Sequence, residues 1–104
     1  MSRHLIPNAP HEHPDVATIV GWDPDRRTYF CDFELHGQPV KTVAGVDPEE
    51  VPSADWLASL LAAAGIHIPP MLVARLRLES LALSTVDMPH LDWRSGEPLP
   101  VREG

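Results

Sequence analysis

Residues Val16 to Leu35, V-A-T-I-V-G-W-D-P-D-R-R-T-Y-F-C-D-F-E-L, leave little choice of local structure. Two alternating runs, rich in β-branched and aromatic residues, flank Asp23-Pro24-Asp25, the pattern of a β-hairpin. Pro24 presets φ for a turn position, and the neighbouring Asp side chains can hydrogen-bond the turn backbone. The second run, Thr28 to Leu35, sorts by alternation. Tyr29, Cys31, Phe33 and Leu35 share one face, and Thr28, Phe30, Asp32 and Glu34 share the other. The first set suits a core. The second is polar except for Phe30, as expected when only one side of an antiparallel sheet is covered. The hairpin also gathers Trp22, Tyr29, Phe30 and Phe33, four of the six aromatic residues.

His36-Gly37 offers a second turn, leading to a short third strand over Val40 to Val43. Pro39 removes a backbone donor and points to an edge position. Ser53 is a good N-cap, with Asp55 in the first turn complementing the helix dipole. The helix it starts runs from Ala54 to Ala64, where Trp56, Leu57, Leu60, Leu61 and Ala64 form one apolar face, and Gly65 ends it. A second helix begins at Pro69 or Pro70 and continues to about Leu81. Leu72, Val73, Leu76 and Ser80 line one side, and Arg75 and Glu79 form an i, i+4 pair on the other. A two-stranded hairpin is not stable alone, so the helices must cover it. The expected fold is a small α+β domain: a two- or three-stranded antiparallel sheet covered on one face by two α-helices, ββ(β)αα, with extended termini. The chain has 12 prolines, concentrated near both ends and at element boundaries. The expected division is therefore a flexible N-terminal arm (1–14), a single α+β domain (15–86) and an extended C-terminal tail (87–104).

Charge narrows the choice of partner. The net charge of −7 is concentrated between Asp15 and Trp56, which hold nine acids against Arg26, Arg27 and Lys41. Direct nucleic-acid binding is disfavoured, because that affinity rests on cations meeting phosphates. A basic protein partner suits an acidic face; solubility alone is the plainer explanation of the same charge. The single cysteine, Cys31, excludes an internal disulfide and fits a reducing compartment. The N-terminal run lacks the apolar stretch of a signal peptide, and Trp56 to Ala64 is too short to span a bilayer. A soluble, cytoplasmic protein without membrane association is expected.

Candidate chemistry is sparse. His11-Glu12-His13 can chelate a metal through alternate positions, with His4 or His90 completing a set, which is the basis for a small metal-dependent enzyme as an alternative. The segment is flanked by prolines and has no cysteine pair, so a chance H-x-H in a tail is the plainer reading. His67 and His36 read as a helix-end and a turn residue. Cys31 sits among apolar neighbours on its strand face and reads as a buried thiol rather than a nucleophile. Asp32 and Glu34 lie roughly 6.6–6.8 Å apart along the strand, a spacing usable by an acid–base pair in a cleft. On an open sheet face they read as solvated carboxylates. There is no Gly-rich phosphate loop, G-x-S-x-G, H-E-x-x-H or C-x-x-C, so no catalytic residue and no cofactor is assigned.

The hairpin is the expected interaction surface. With Trp22 placed near Phe30 across the turn, the two form an exposed aromatic pair ringed by Asp23, Arg26, Asp32 and Glu34: anchors inside a polar rim. The competing expectations are that the segment around Trp93 folds back over them, or that a one-residue shift of register buries Phe30. The run V-G-W-D-P-D-R-R-T-Y-F (Val20 to Phe30), followed by an acidic stretch and the L-A-A-A of a short helix, resembles small uncharacterised proteobacterial proteins often carried on integrated mobile elements. The likeness covers roughly Val16 to Leu78. No activity is assigned to those proteins, so the resemblance implies no catalytic residue. It implies an accessory or inhibitory protein of a mobile element, anti-CRISPR proteins being one such class. The expected function is thus a non-catalytic acidic protein-binding module. Trp22 and Phe30 anchor a basic partner; Asp23, Asp25, Asp32 and Glu34 set specificity; nucleic-acid mimicry is its sharper form. The alternative is a homodimer joined through the open sheet face or the Val40–Val43 edge.

Overall fold

The computed structural model describes residues 2–81 and 90–101. It contains eight elements: β1 (Arg3–Ile6), β2 (Val16–Asp23), β3 (Thr28–Leu35), β4 (Gln38–Ala44), α1 (Ala54–Ala63), α2 (Pro70–Leu81), β5 (His90–Asp92) and β6 (Leu99–Pro100). The sheet has six strands in the order β4-β3-β2-β1-β5-β6. All neighbours are antiparallel except β1 and β5, which are parallel. The expected two- or three-stranded antiparallel sheet is thus corrected to a six-stranded mixed one.

The extra strands come from the ends of the chain, so the termini are not extended appendages. β1 sits between β2 and β5, inside the sheet. Its sequence, R-H-L-I, gives no apolar–polar alternation, because His4 and Ile6 point to the helices and are both wholly buried. The link to β2 is pinned through Asn8, whose Nδ2 donates to the Val16 carbonyl at 2.6 Å while its Oδ1 accepts from Thr18 Oγ1 at 2.6 Å. At the other end, the three residues of β5 pair with Arg3 to Leu5, and β6 closes against β5. The expected domain boundary at 86–87 lies outside the described residues.

The central hairpin forms in the register its alternation implies. Trp22 pairs with Tyr29, Val20 with Cys31 and Thr18 with Phe33 on the helix side, while Gly21 pairs with Phe30 and Ile19 with Asp32 on the other. Arg27 takes φ 54° at the end of its turn. His36 and Gly37, at φ 52° and 78°, make the two-residue turn into β4 that requires both central residues in the left-handed region. Ser53 caps α1, accepting the Trp56 N–H at 3.0 Å.

α1 and α2 lie on one face of the sheet. The core lies between them and the sheet: Ile6, Val20, Tyr29, Cys31 and Ala44 from the strands meet Leu57, Leu61, Leu72 and Leu76 from the helices. Tyr29 ties the layers together, its hydroxyl donating to the Leu76 carbonyl at 2.7 Å. The helix faces differ from their expected composition. On α1 only Leu57 and Leu61 of the apolar set are buried, and Trp56 and Leu60 are exposed. On α2 Glu79 is buried with Leu72 and Leu76, while Leu78 and Leu81 face solvent. Glu79 turns inward because it has buried partners there.

Candidate functional site

Glu79 is the centre of a hydrogen-bonded cluster joining four parts of the fold. Its Oε1 accepts from Ser2 Oγ at 2.6 Å, and its Oε2 lies 2.9 Å from His4 Nε2. His4 Nδ1 receives the Trp93 indole N–H at 3.0 Å. Ser2 Oγ also accepts the Trp22 N–H at 2.9 Å. Arg75 Nε approaches Glu79 Oε2 at 3.7 Å, the pair expected from i, i+4 spacing, though with Glu79 facing in. Every buried side-chain polar atom among the described residues is satisfied. This cluster therefore holds the fold together. His4, offered from the sequence as a possible metal ligand, is committed here instead. His11 and His13 are exposed. Among the described residues no group of three or more His, Cys, Asp or Glu side chains can hold a metal ion.

The face of the sheet away from the helices carries the other candidate site. Two shallow depressions lie on it. The smaller, about 50 Å³, is lined by Arg3, Leu5, Ile19, His90 and Val101. The larger, about 170 Å³, is lined by Asp23, Arg26, Phe30, Asp32, Thr42 and Gly45. Arg3, at the smaller depression, reaches Glu34, its Nη2 donating to both carboxylate oxygens at 2.7 Å.

The larger depression contains half of the expected surface. Asp23, Phe30 and Asp32 line it together. Phe30 does point away from the helices, but it is only 4% exposed. Its ring lies against Gly21, where an added Cβ would come within 2.9 Å of it, and Gly45 closes on its Cβ from the other side. Two glycines allow the main chain to approach an aromatic ring that has no helix above it. Trp22 is not beside Phe30. It faces the helix side, its ring 4.7 Å from that of Tyr29. Glu34 is buried and held by Arg3, and Asp25 is exposed on the turn outside the depression. The segment around Trp93 joins the sheet edge and core rather than folding over Phe30.

Within the depression the two acids differ. Asp23 is occupied in its own turn, with Oδ1 accepting the Asp25 N–H at 3.0 Å. Asp32 is part-buried, and burial raises its carboxyl pKa above the ordinary value. Thr42 opposes this by hydrogen bonding, the Glu34 charge adds to it, and Arg3 and Arg26 offset it only through their fields. Burial, with a smaller push from the Asp32 charge, lifts the Cys31 thiol to about 12, as befits a core group rather than a nucleophile.

Arg26, expected in the rim, lines the depression, whereas Thr42 and Gly45 were not legible as site residues. Thr42 faces Asp32 because β4 is bulged: its register shifts between Cys31 and Asp32 and again between Phe33 and Glu34. Comparison with protein-family models, curated proteins and solved structures finds no match. No helix among the described residues is long and apolar enough to cross a membrane.

Proposed function

We propose that this chain is a non-catalytic protein-binding module that meets a basic partner on the open face of its sheet, a cationic side chain of the partner entering the depression beside Asp32. The observation that carries the reading is the Asp32 carboxyl, part-buried with its pKa raised. Arg3 is committed to Glu34, and Arg26 donates to the Val46 carbonyl at 2.7 Å. A partner's guanidinium or ammonium arriving at Asp32 gains an ionic contact in a partly dehydrated place, where it is worth more than on an open surface. The net charge of −7 favours encounter with such a partner.

The edge strand β4 carries Pro39, Lys41 and its bulges, features that discourage strand pairing between copies. This favours a different protein as partner over the homodimer. Dense nucleic-acid mimicry gains less support, because Glu34, Asp55 and Asp92 are taken up by Arg3, Arg77 and Arg94. An accessory or inhibitory role on a mobile element, in the cytoplasm, extends the proposal along the resemblance in the hairpin.

Fluorescence-anisotropy titration with labelled arginine peptides and their citrulline counterparts tests the reading. The arginine peptides are expected to bind and the citrulline peptides not to. Asp32→Asn should weaken binding at least about tenfold, while Glu49→Gln and Glu97→Gln, which remove the same charge from exposed positions, should change it little. Equal weakening by all three variants would show that net charge alone acts and would overturn the assignment to the depression. Failure of every cationic peptide to bind would overturn the module itself.

A further inference from the structure

The buried cluster around His4 stands independently of the surface just described. His4 is wholly buried on β1, and both of its ring nitrogens are engaged. An indole N–H can only donate, so the Trp93 contact at 3.0 Å requires an unprotonated Nδ1. Nε2 then carries the ring hydrogen and donates to Glu79 Oε2 at 2.9 Å. Trp93 follows β5 directly, and its backbone N–H donates to the Leu5 carbonyl at 2.8 Å. Among the described residues, these two bonds from Trp93 join the three-residue pairing of β5 with β1 and the packing of Trp93 and Leu91 on the core in securing the C-terminal strand pair to the body of the sheet.

We propose that His4 is a proton-operated latch on the β5–β6 pair: a proton added at Nδ1 releases Trp93, and β5 parts from β1 while the rest of the sheet stays folded. The added proton turns Nδ1 from acceptor to donor and sets it against the indole N–H. The groups facing His4 cannot repair this. Glu79 on α2 attracts the imidazolium but sits at Nε2, on the other side of the ring. Arg75, close to the same Glu79 oxygen, opposes the added charge. The Ser2 hydroxyl is spent on Glu79 and on the Trp22 N–H. Release would turn β1 from an interior strand into an edge, with its backbone open to pairing. The latch acts on the opposite side of β1 from the depression at Asp32, so either proposal can fail without the other.

NMR on the full chain, from about pH 7.5 down to about pH 4, tests it by following the His4 ring nitrogens, the Trp93 indole N–H and backbone hydrogen exchange together. At neutral pH the ring should be the Nε2–H tautomer. On acidification the indole resonance should move with the same midpoint as the His4 ring. Amide protection in β5 should fall about tenfold or more, while that in β2 and β3 persists. In Trp93→Phe, β5 protection should be low already at neutral pH and should not follow the ring. The proposal is overturned if the indole stays bound while His4 titrates. It is equally overturned if the whole sheet loses protection at once, or if the ring takes up no proton before global unfolding.

Discussion

Replacing Glu79 by alanine should be among the most costly single changes in this protein. The substitution orphans two donors, Ser2 Oγ–H and His4 Nε2–H, on residues with no exposure to water. A buried donor left without a partner costs about 1–3 kcal/mol. Two such donors, together with the lost packing of the side chain, give roughly 3–5 kcal/mol, the range found when one member of a buried ionic pair is removed. A domain of this size has about 5–15 kcal/mol of stability in total. At about 4–8 °C per kcal/mol, Tm should fall by about 12–40 °C. Glu79→Gln keeps the shape and one acceptor and should lose about 1–2 kcal/mol. Glu49→Ala, on the surface, should stay within about 0.5 kcal/mol of wild type. Urea unfolding followed by tryptophan fluorescence, with linear extrapolation, supplies the values, and an unchanged m shows that the same cooperative unit is being measured. A loss below about 1 kcal/mol for Glu79→Ala at unchanged m would refute the claim that this carboxylate satisfies the two buried donors.

Three further outcomes are expected. Asp32 has a raised carboxyl pKa in the fold, so its contribution to stability is fully present below the unfolded-state value near 3.9 and is lost as pH rises through the folded value. Asp32→Asn should therefore stabilise the free protein at pH 7 and have little effect at about pH 3, as thermal melts at the two pH values will show. Gly21→Ala would place a Cβ 2.1 Å from the Ser2 carbonyl oxygen and 2.9 Å from the Phe30 ring; it should cost at least about 2 kcal/mol in urea unfolding. The Cys31 thiol, lifted to about 12 and wholly buried, should resist Ellman's reagent in the native protein at about pH 8 and react fully in denaturant.

Residues 16–81 announce their elements because each carries a strong local signal. The Thr28–Leu35 strand, the Ser53 cap and the start of α2 at Pro70 all lie where alternation, capping and proline placement put them. β1 and β5 lack such signals. They are four and three residues long, and β1 buries a histidine whose partners, Glu79 and Trp93, are 75 and 89 residues away. Only tertiary structure can make His4 an inward residue or Glu79 a core one. The candidate site divides in the same way. Alternation alone sends Phe30 and Asp32 to the open face, whereas the cover over Phe30 depends on Gly21 and Gly45, and the partner of Asp32 on two bulges in β4. Trp22 lies beside the turn in sequence, as Phe30 does, but direct pairing sets it against Tyr29 on the other face.

The binding proposal is most directly examined by titrating isotope-labelled protein with an arginine peptide while recording amide shifts and the Asp32 carboxyl carbon. If the depression receives the cation, the largest shifts fall on Asp23, Arg26, Phe30, Asp32, Thr42 and Gly45, and the Asp32 carboxyl pKa drops when the peptide is bound. Shifts scattered over the exposed acids at Asp25, Asp47, Glu49 and Glu97, with the Asp32 titration unmoved, would contradict it.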